Sequence, residues 1–235
     1  MSVRAVLFDM DGTLLDHAAA SAAAGEAFVA RVRPDLPVAE AMELWSDADH
    51  DGYQRFLAGE MSFQERRRYG VRGLVPALVH APDQQVDETF AGYLADYQAR
   101  WRAYPDARPA LAAVLDMGLR VAVVSNNSLE QTLQKADVIG LWPELTPIVA
   151  SEEVGAAKPD PRIFLAACEA IDCPPADTVM VGDDLMADVL GALRAGLRAT
   201  WLNRDDPRTV EESLNLSTSP APTIHSLTEL TRVLS

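Results

Sequence analysis

Residues 3–16 have the sequence VRAVLFDMDGTLLD, and this stretch decides the fold. Its apolar, β-favouring run ends in Asp9 and Asp11, which are followed at once by Gly12 and Thr13. A continuous apolar run that stops at a glycine turn signal predicts a strand buried on both faces of a parallel sheet. Open α/β sheets bind ligands at the carboxyl ends of such strands. Two carboxylates there repel each other, so we expect a hard divalent cation such as Mg²⁺ between them.

The composition indicates a globular protein and excludes several classes of partner. Of the 235 residues, 49% are hydrophobic and 23% charged, and no apolar run approaches the roughly 18 residues of a membrane span. The N-terminus lacks the residue order of a signal peptide, so we expect a cytoplasmic protein with no membrane partner. A net charge of -15 argues against nucleic acid, which binds through clustered Lys and Arg. Cys168 and Cys173 lack metal-site spacing and are expected to be reduced.

The rest of the chain alternates between strand and helix patterns after a helical insertion. Residues 18–104 show four helical patterns and no strand-like run, with a capping-box signature at 62–65. Further strands are predicted at 119–124, 148–150, 178–181 and 199–202, separated by helical segments. A loop is predicted over 203–222 and a last helix over 226–234. This alternation predicts an α/β fold with a doubly wound, Rossmann-like parallel sheet and an inserted all-helical cap domain. We place the core at 1–16 plus 105–235 and the cap at 17–104.

Three more groups of polar residues fall at predicted strand ends or in a nearby loop. Ser125 and Asn126 end the second strand, where a hydroxyl and main-chain amides can bind a phosphoryl oxygen or simply cap a helix. Lys158 lies in a Pro-containing turn and is one of two lysines in the chain. It can neutralise a carboxylate and a substrate phosphate, or be an ordinary exposed lysine.

The last group lies in the sequence GDDLMAD at 182–188. Asp183 follows a strand, and Asp188 lies about one turn into the next helix, so both can contribute to an oxygen-rich metal site. Asp183 or Asp184 can also be the helix cap. A cap alone does not explain three carboxylates in so short a segment, because they repel one another unless they are paired or metal-bound.

Together these groups resemble the four motifs of the haloacid dehalogenase superfamily, in the family's order. The pattern DMDGT at 9–13 is similar to the first motif, and the residues around Ser125, Lys158 and Asp183 are similar to the other three. The inserted helices resemble the family's helical cap, so the resemblance covers the whole chain. It implies a hydrolase, specifically a phosphoric monoester hydrolase of the phosphatase branch.

The resemblance also implies a mechanism. Asp9 would be the nucleophile that forms an aspartyl-phosphate, and Asp11 the general acid and base. Mg²⁺ would be held by Asp9, the Asp11 carbonyl and Asp183, with Asp188 acting through water. Ser125, Asn126 and Lys158 would bind the transferring phosphoryl group. Asp184 stands where many relatives have Ser, and its role stays open.

Several alternatives remain open at this stage. Haloacid dehalogenases lack an acid/base Asp two residues after the nucleophile, so Asp11 disfavours dehalogenation. The phosphonate-cleaving branch needs a cap lysine, which residues 16–104 lack. A β-phosphoglucomutase-like transferase and a non-catalytic binding protein remain as alternatives to a phosphatase acting on a sugar phosphate, phosphoglycolate or a nucleotide. Residues 66–68, three arginines, could meet a second anionic group or form a solvated helix face. We expect a small phosphorylated metabolite as partner and a monomer or homodimer.

Overall fold

The computed structural model describes residues 3–141, 144–204 and 220–234. The chain divides into two compact units, one containing the chain up to Asp16 and from Arg102 onward, the other spanning His17–Trp101. The division into a core domain and a cap domain with the predicted bounds stays a prediction. No described helix is both long enough and apolar enough to span a bilayer.

A six-stranded parallel sheet forms the centre of the first unit. Its strand order is β3-β2-β1-β4-β5-β6, so β1 lies in the interior between β2 and β4. This is the doubly wound order expected from the alternating strand and helix patterns, and the predicted fold class is confirmed. The strands are β1 (Ala5–Phe8), β2 (Arg120–Ser125), β3 (Ile148–Ala150), β4 (Thr178–Gly182), β5 (Arg198–Leu202) and β6 (Thr223–Ile224).

Helices cover the sheet, and side chains from both layers form its core. Because β1 is buried along its whole length, its sequence is uniformly apolar. One hydrophobic cluster joins Leu7 and Met180 of the sheet to Ile163 and Phe164 of a neighbouring helix. The helices of this unit are α5 (Ala107–Asp116), α6 (Leu129–Val138), α7 (Ser151–Val154), α8 (Pro161–Ala170), α9 (Gly191–Arg194) and α10 (Leu230–Leu234).

The sequence predictions for this unit fail mainly at short elements. The four-residue helix α7 and the two-residue strand β6 were not predicted, because neither is long enough to show a periodic pattern. Strand β6 begins directly after the predicted loop 203–222. Most of that loop, 205–219, lies outside the described residues. Cys168 and Cys173 are both buried and unpaired, as expected.

Four helices form the second unit, as the helical patterns predicted. Their bounds are α1 (His17–Val32), α2 (Val38–Leu57), α3 (Phe63–Leu74) and α4 (Asp83–Gln98). The predicted capping box is present: the Ser62 hydroxyl accepts from Glu65 N, and Glu65 Oε2 accepts from Ser62 N at 2.7 Å.

Aromatic and aliphatic residues together form the core of this unit. Phe28, Trp45 and Tyr93 pack with ring centroids 5.1 to 5.6 Å apart. Tyr97 and Trp101 are also buried, whereas Tyr53 is only half-buried. The three arginines at 66–68 are half-buried: Arg66 pairs with Asp49, Arg68 pairs with Asp83 and Asp87, and Arg67 lies over two phenylalanine rings.

Candidate active site

The carboxyl ends of three adjacent strands bring the predicted site residues together. In the sheet register, Phe8 of β1 lies opposite Val123 of β2 and Val181 of β4. The next residues of β1 and β4 are therefore near neighbours, and Asp9 N extends the ladder by donating to Val181 O at 2.9 Å. Ser125 ends β2, and Asp183 directly follows β4. The predicted strand positions thus place Asp9, Ser125 and Asp183 at one edge of the sheet.

Lys158 connects two of the predicted carboxylates inside the protein. Its Nζ lies 2.5 Å from Asp9 Oδ1 and 2.7 Å from Asp188 Oδ1. All three side chains are buried, with exposed fractions of 4%, 9% and 1%. The alternative of an ordinary exposed loop lysine is therefore wrong. An ammonium is buried at this depth only when carboxylates pair with it.

The cluster carries more negative charge than its lysine can balance. Burial raises the pKa of Asp9 well above its usual value, and repulsion from Asp188 and Asp183 adds to the shift against the attraction of Lys158. Burial likewise raises the pKa of Asp188. Although burial alone would lower the pKa of Lys158, the Asp188 and Asp9 carboxylates together raise it. One ammonium among three carboxylates leaves an excess of negative charge, which an additional cation would relieve.

Three of the carboxylates are arranged as ligands for such a cation. One oxygen each of Asp9, Asp183 and Asp188 lies within 4.8 Å of the others. Asp9 Oδ2 is buried and accepts no hydrogen bond from the described residues. A buried carboxylate oxygen without a donor is costly, and a metal ion would satisfy it. Hard oxygen ligands of this kind fit Mg²⁺.

Two glycines make room for these carboxylates. Gly12 has a φ of +86°, and a Cβ at this position would collide with the carboxylate of Asp183. A Cβ on Gly182 would collide in the same way with Asp188. The glycine in the first motif is therefore required both by the backbone conformation and by the close approach of Asp183.

The two predicted phosphate-binding residues of β2 take different positions. Ser125 is 1% exposed, and its hydroxyl accepts hydrogen bonds from the main-chain and side-chain amides of Asn127, both at 3.2 Å. The cap of α6 is Ser128, so the interpretation of Ser125 as that cap is wrong. The Asn126 side chain accepts from Lys158 N at 2.7 Å and donates to Lys158 O at 3.0 Å, which fixes the lysine loop against the end of β2.

Asp184 is the helix cap that the sequence left open. Its Oδ1 accepts hydrogen bonds from Met186 N and Ala187 N, both at 2.8 Å. Both amides lie near the start of the π-helical turn Leu185–Leu190 that leads into α9. Adjacent Asp183 is oriented differently, since Thr13 Oγ1 lies 3.4 Å from its Oδ1 and Trp201 Nε1 donates to its carbonyl. The cap and the candidate ligand are thus different residues.

Asp11 has two partners that the sequence analysis did not identify. Lys135 Nζ, on α6, lies 2.7 Å from Asp11 Oδ1 and 2.6 Å from Oδ2. Asn127 Nδ2 donates to Asp11 Oδ2 at 2.6 Å. The scarcity of lysine was the one available signal, because Lys135 is the only lysine in the chain besides Lys158.

Arg204 supports the loop that carries the two N-terminal carboxylates. Its guanidinium donates to Gly12 O at 3.3 Å and to Thr13 O at 2.9 Å, and pairs with Asp106 at 3.0 Å. It also lies 3.7 Å from the centroid of the Tyr104 ring. These contacts satisfy main-chain carbonyls in a tight turn, which would otherwise be free to shift.

Comparison with known proteins places this site in a family. The chain is 28% identical to a ribulose-1,5-bisphosphate 5-phosphatase of Halopiger xanaduensis, over 96% of this chain and 95% of that protein. It is 31% identical to a phosphoserine phosphatase of Thermus thermophilus, over 86% and 89% of the two chains. A crystal structure of the putative HAD-hydrolase YfnB from Bacillus subtilis, described as bound to magnesium, matches with a TM-score of 0.82 at 23% identity, over 100% and 99%.

The family model of haloacid dehalogenase-like hydrolases matches residues 3–196. This range begins before β1 and ends after α9, so it includes every residue of the carboxylate and lysine cluster described above. The resemblance seen in the sequence motifs, and with it the expectation of a hydrolase, is confirmed. The chain belongs to the haloacid dehalogenase-like hydrolase family.

Proposed function

We propose that this protein is a Mg²⁺-dependent phosphatase that hydrolyses a small phosphomonoester through an aspartyl-phosphate on Asp9. The observation that carries the proposal is the buried Asp9 carboxylate, with one oxygen on Lys158 and the other without a hydrogen bond from the described residues. The two curated relatives reported above support the same reaction class, since they are named as a ribulose-1,5-bisphosphate 5-phosphatase and a phosphoserine phosphatase.

The proposed reaction has two steps. In the first, an oxygen of Asp9 attacks phosphorus, the bond from phosphorus to the ester oxygen breaks, and Asp11 gives its proton to the departing alkoxide. In the second, water attacks phosphorus, Asp11 takes a proton from it, and the bond to Asp9 breaks to release phosphate. The two carboxylates lie two residues apart in one loop, so a single turn of backbone supplies both groups.

Side chains around Asp9 are proposed to stabilise the negative charge on the phosphoryl oxygens. Lys158 supplies a buried ammonium, and the Ser125 hydroxyl and Asn126 amide are proposed to donate hydrogen bonds to the same group. Asp9, Asp183 and the Asp11 carbonyl would hold Mg²⁺, with Asp188 next to them. When bound, the ion would contribute charge stabilisation to the transferring phosphoryl group.

The test is release of inorganic phosphate from a panel of phosphomonoesters, with Mg²⁺ and with EDTA. Asp9→Asn keeps the shape of the side chain and removes the nucleophile, so we expect a loss of at least about 10³-fold. Asp160→Asn is the matched control, because Asp160 caps α8 through Arg162 N and Asn can also cap. Release from no ester by the wild-type enzyme would overturn the proposal. Turnover that depends on an added sugar bisphosphate and yields little phosphate would favour the mutase alternative.

A further inference from the structure

Lys135 is a buried cation that the reaction described above does not use. It lies on α6, with a side chain that is 1% exposed, and its ammonium contacts both oxygens of Asp11 at 2.6 and 2.7 Å. Burying an ammonium is unfavourable unless it is well paired. Here the partner of the buried Lys135 ammonium is the side chain of Asp11, the proposed acid and base.

A second side chain, that of Asn127, donates to the same carboxylate. Asn127 Nδ2 lies 2.6 Å from Asp11 Oδ2 and 3.2 Å from Ser125 Oγ. Asn127 precedes α6, which begins at Leu129 after the Ser128 cap, and Lys135 lies on the same helix. Lys135 of helix α6 and Asn127, the residue before its cap, therefore contact both oxygens of Asp11, and Asn127 connects Asp11 to the Ser125 hydroxyl.

We propose that Lys135, assisted by Asn127, is a positioning residue that fixes the Asp11 carboxylate for proton transfer. The inference rests on the proposed phosphatase reaction, in which Asp11 must reach the leaving oxygen in the first step and the attacking water in the second. A displacement of about 1 Å in a reacting group can cost about 10²-fold in rate. A carboxylate in a loop after a strand has rotational freedom, and a cation that contacts both its oxygens removes that freedom.

The competing interpretation is a purely structural ion pair that stabilises the unit without affecting the chemistry. The two interpretations differ in how the rate depends on the leaving group. A p-nitrophenolate anion leaves without a proton, whereas an alkoxide needs one from Asp11. Loss of positioning should therefore slow cleavage of an alkyl phosphate far more than the first cleavage of p-nitrophenyl phosphate, while structural damage should slow both equally.

The experiment measures both substrates with Lys135→Met, which keeps most of the side-chain volume and removes the charge. In rapid-mixing assays with Mg²⁺, we expect the first turnover of glycerol phosphate to slow by about 10²-fold. First-turnover release of nitrophenolate should stay close to that of wild type. A slow steady state should follow this burst, because hydrolysis of the phosphoenzyme needs Asp11 as base.

Three further variants keep the test decisive. Thr132→Val is the matched control: Thr132 is buried on the same helix, its hydroxyl donates to Ser128 O, and both substrates should be turned over normally. Lys135→Arg keeps the charge and should restore part of the alkyl-phosphate rate. Asn127→Ala removes the half-buried donor and should show the same dependence on leaving group if Lys135→Met does not fold.

The outcomes separate this proposal from the proposed function. A wild-type enzyme that releases phosphate from no ester overturns both. An active wild type, together with equal losses or no loss on the two substrates in the Lys135 and Asn127 variants, overturns only the positioning role. A loss confined to the alkyl phosphate, with a nitrophenolate burst, supports it.

Discussion

The Lys158 ammonium lies 2.5 Å from Asp9 Oδ1, and both side chains are buried. Asp188 Oδ1 contacts the same ammonium at 2.7 Å. A cation shared by two carboxylates inside a protein has lost its own hydration, and so have its partners. The lysine therefore stabilises the cluster as well as the proposed reaction.

Replacing this lysine should destabilise the protein strongly. Lys158→Met leaves two buried carboxylates without their cation, which costs about 3 to 5 kcal/mol of unfolding free energy when a buried pair is broken. Urea denaturation at neutral pH in EDTA measures the loss. Arg162→Met is the matched control, because its pair with Asp160 is mostly exposed and should contribute less than about 1 kcal/mol. Equal losses in the two variants would contradict the role assigned to Lys158.

The adjacent residues Asp183 and Asp184 should respond differently to the same substitution. Asp183→Asn removes a proposed metal ligand, so we expect activity to fall by about 10²-fold and Mg²⁺ to bind more weakly. Asp184→Asn retains a side-chain oxygen that can cap the following turn, so activity and Mg²⁺ dependence should stay near wild type. Titration of phosphate release with Mg²⁺ compares the pair. A loss in Asp184→Asn as large as that in Asp183→Asn would show that capping is not its main role.

The pKa of Asp183 gives the metal-free protein a specific pH dependence. Desolvation is the largest cause and repulsion from Asp188 the next, and together they raise this pKa to about 7, from 3.8 for an unperturbed Asp. Asp183 is an exposed residue, so solvent screens part of this repulsion. Between these two pKa values the folded state binds more protons than the unfolded state, so in EDTA the stability contributed by Asp183 falls as pH rises from about 4 to about 7.

Mg²⁺ should reverse this trend, because metal binding requires the deprotonated carboxylate. The increase in Tm on adding MgCl₂ is therefore expected to grow as pH rises through about 7. Thermal unfolding with EDTA and with MgCl₂ across this range measures both effects. In Asp183→Asn the decline in EDTA should be smaller and the Mg²⁺ shift reduced; a metal shift that does not change with pH would count against Asp183 as a ligand.

Alanine substitutions at Gly12 and Gly118 test whether Asp183 needs the space beside Gly12. Both have a positive φ, +86° and +73°, so alanine strains the backbone at either position by about 1 to 2 kcal/mol. A Cβ at position 118 has nothing within 4 Å, whereas one at position 12 collides with the Asp183 carboxylate. We expect Gly118→Ala to keep its activity and Gly12→Ala to lose most of it. The measurement is phosphate release by the two variants, corrected to the same folded fraction. Equal activity in Gly12→Ala and Gly118→Ala would refute the steric argument.

Much of the fold follows from short segments of sequence. The apolar run before Asp9 is long enough to indicate a buried strand. Gly118 and Gly140 both adopt the positive φ that commonly ends a helix. The capping box at Ser62 forms because its two partners lie three residues apart. The four-residue helix α7 and the two-residue strand β6 have too few positions to show a period, so their sequences did not reveal them.

The sequence by itself determined which residues lie at the strand ends, because strand period, turn residues and motif spacing are all local. Only the tertiary structure decided what those residues contact. Lys135 and Asp11 are 124 positions apart, and their pairing depends on the sheet register and on the direction of α6. The burial of Lys158 also depends on tertiary structure. A lysine in a loop can be fully exposed, but here Lys158 N donates to the Asn126 side chain, which holds the loop against the end of β2. Local patterns fix conformation over a few residues, whereas burial and pairing of charges depend on the packing of the whole unit.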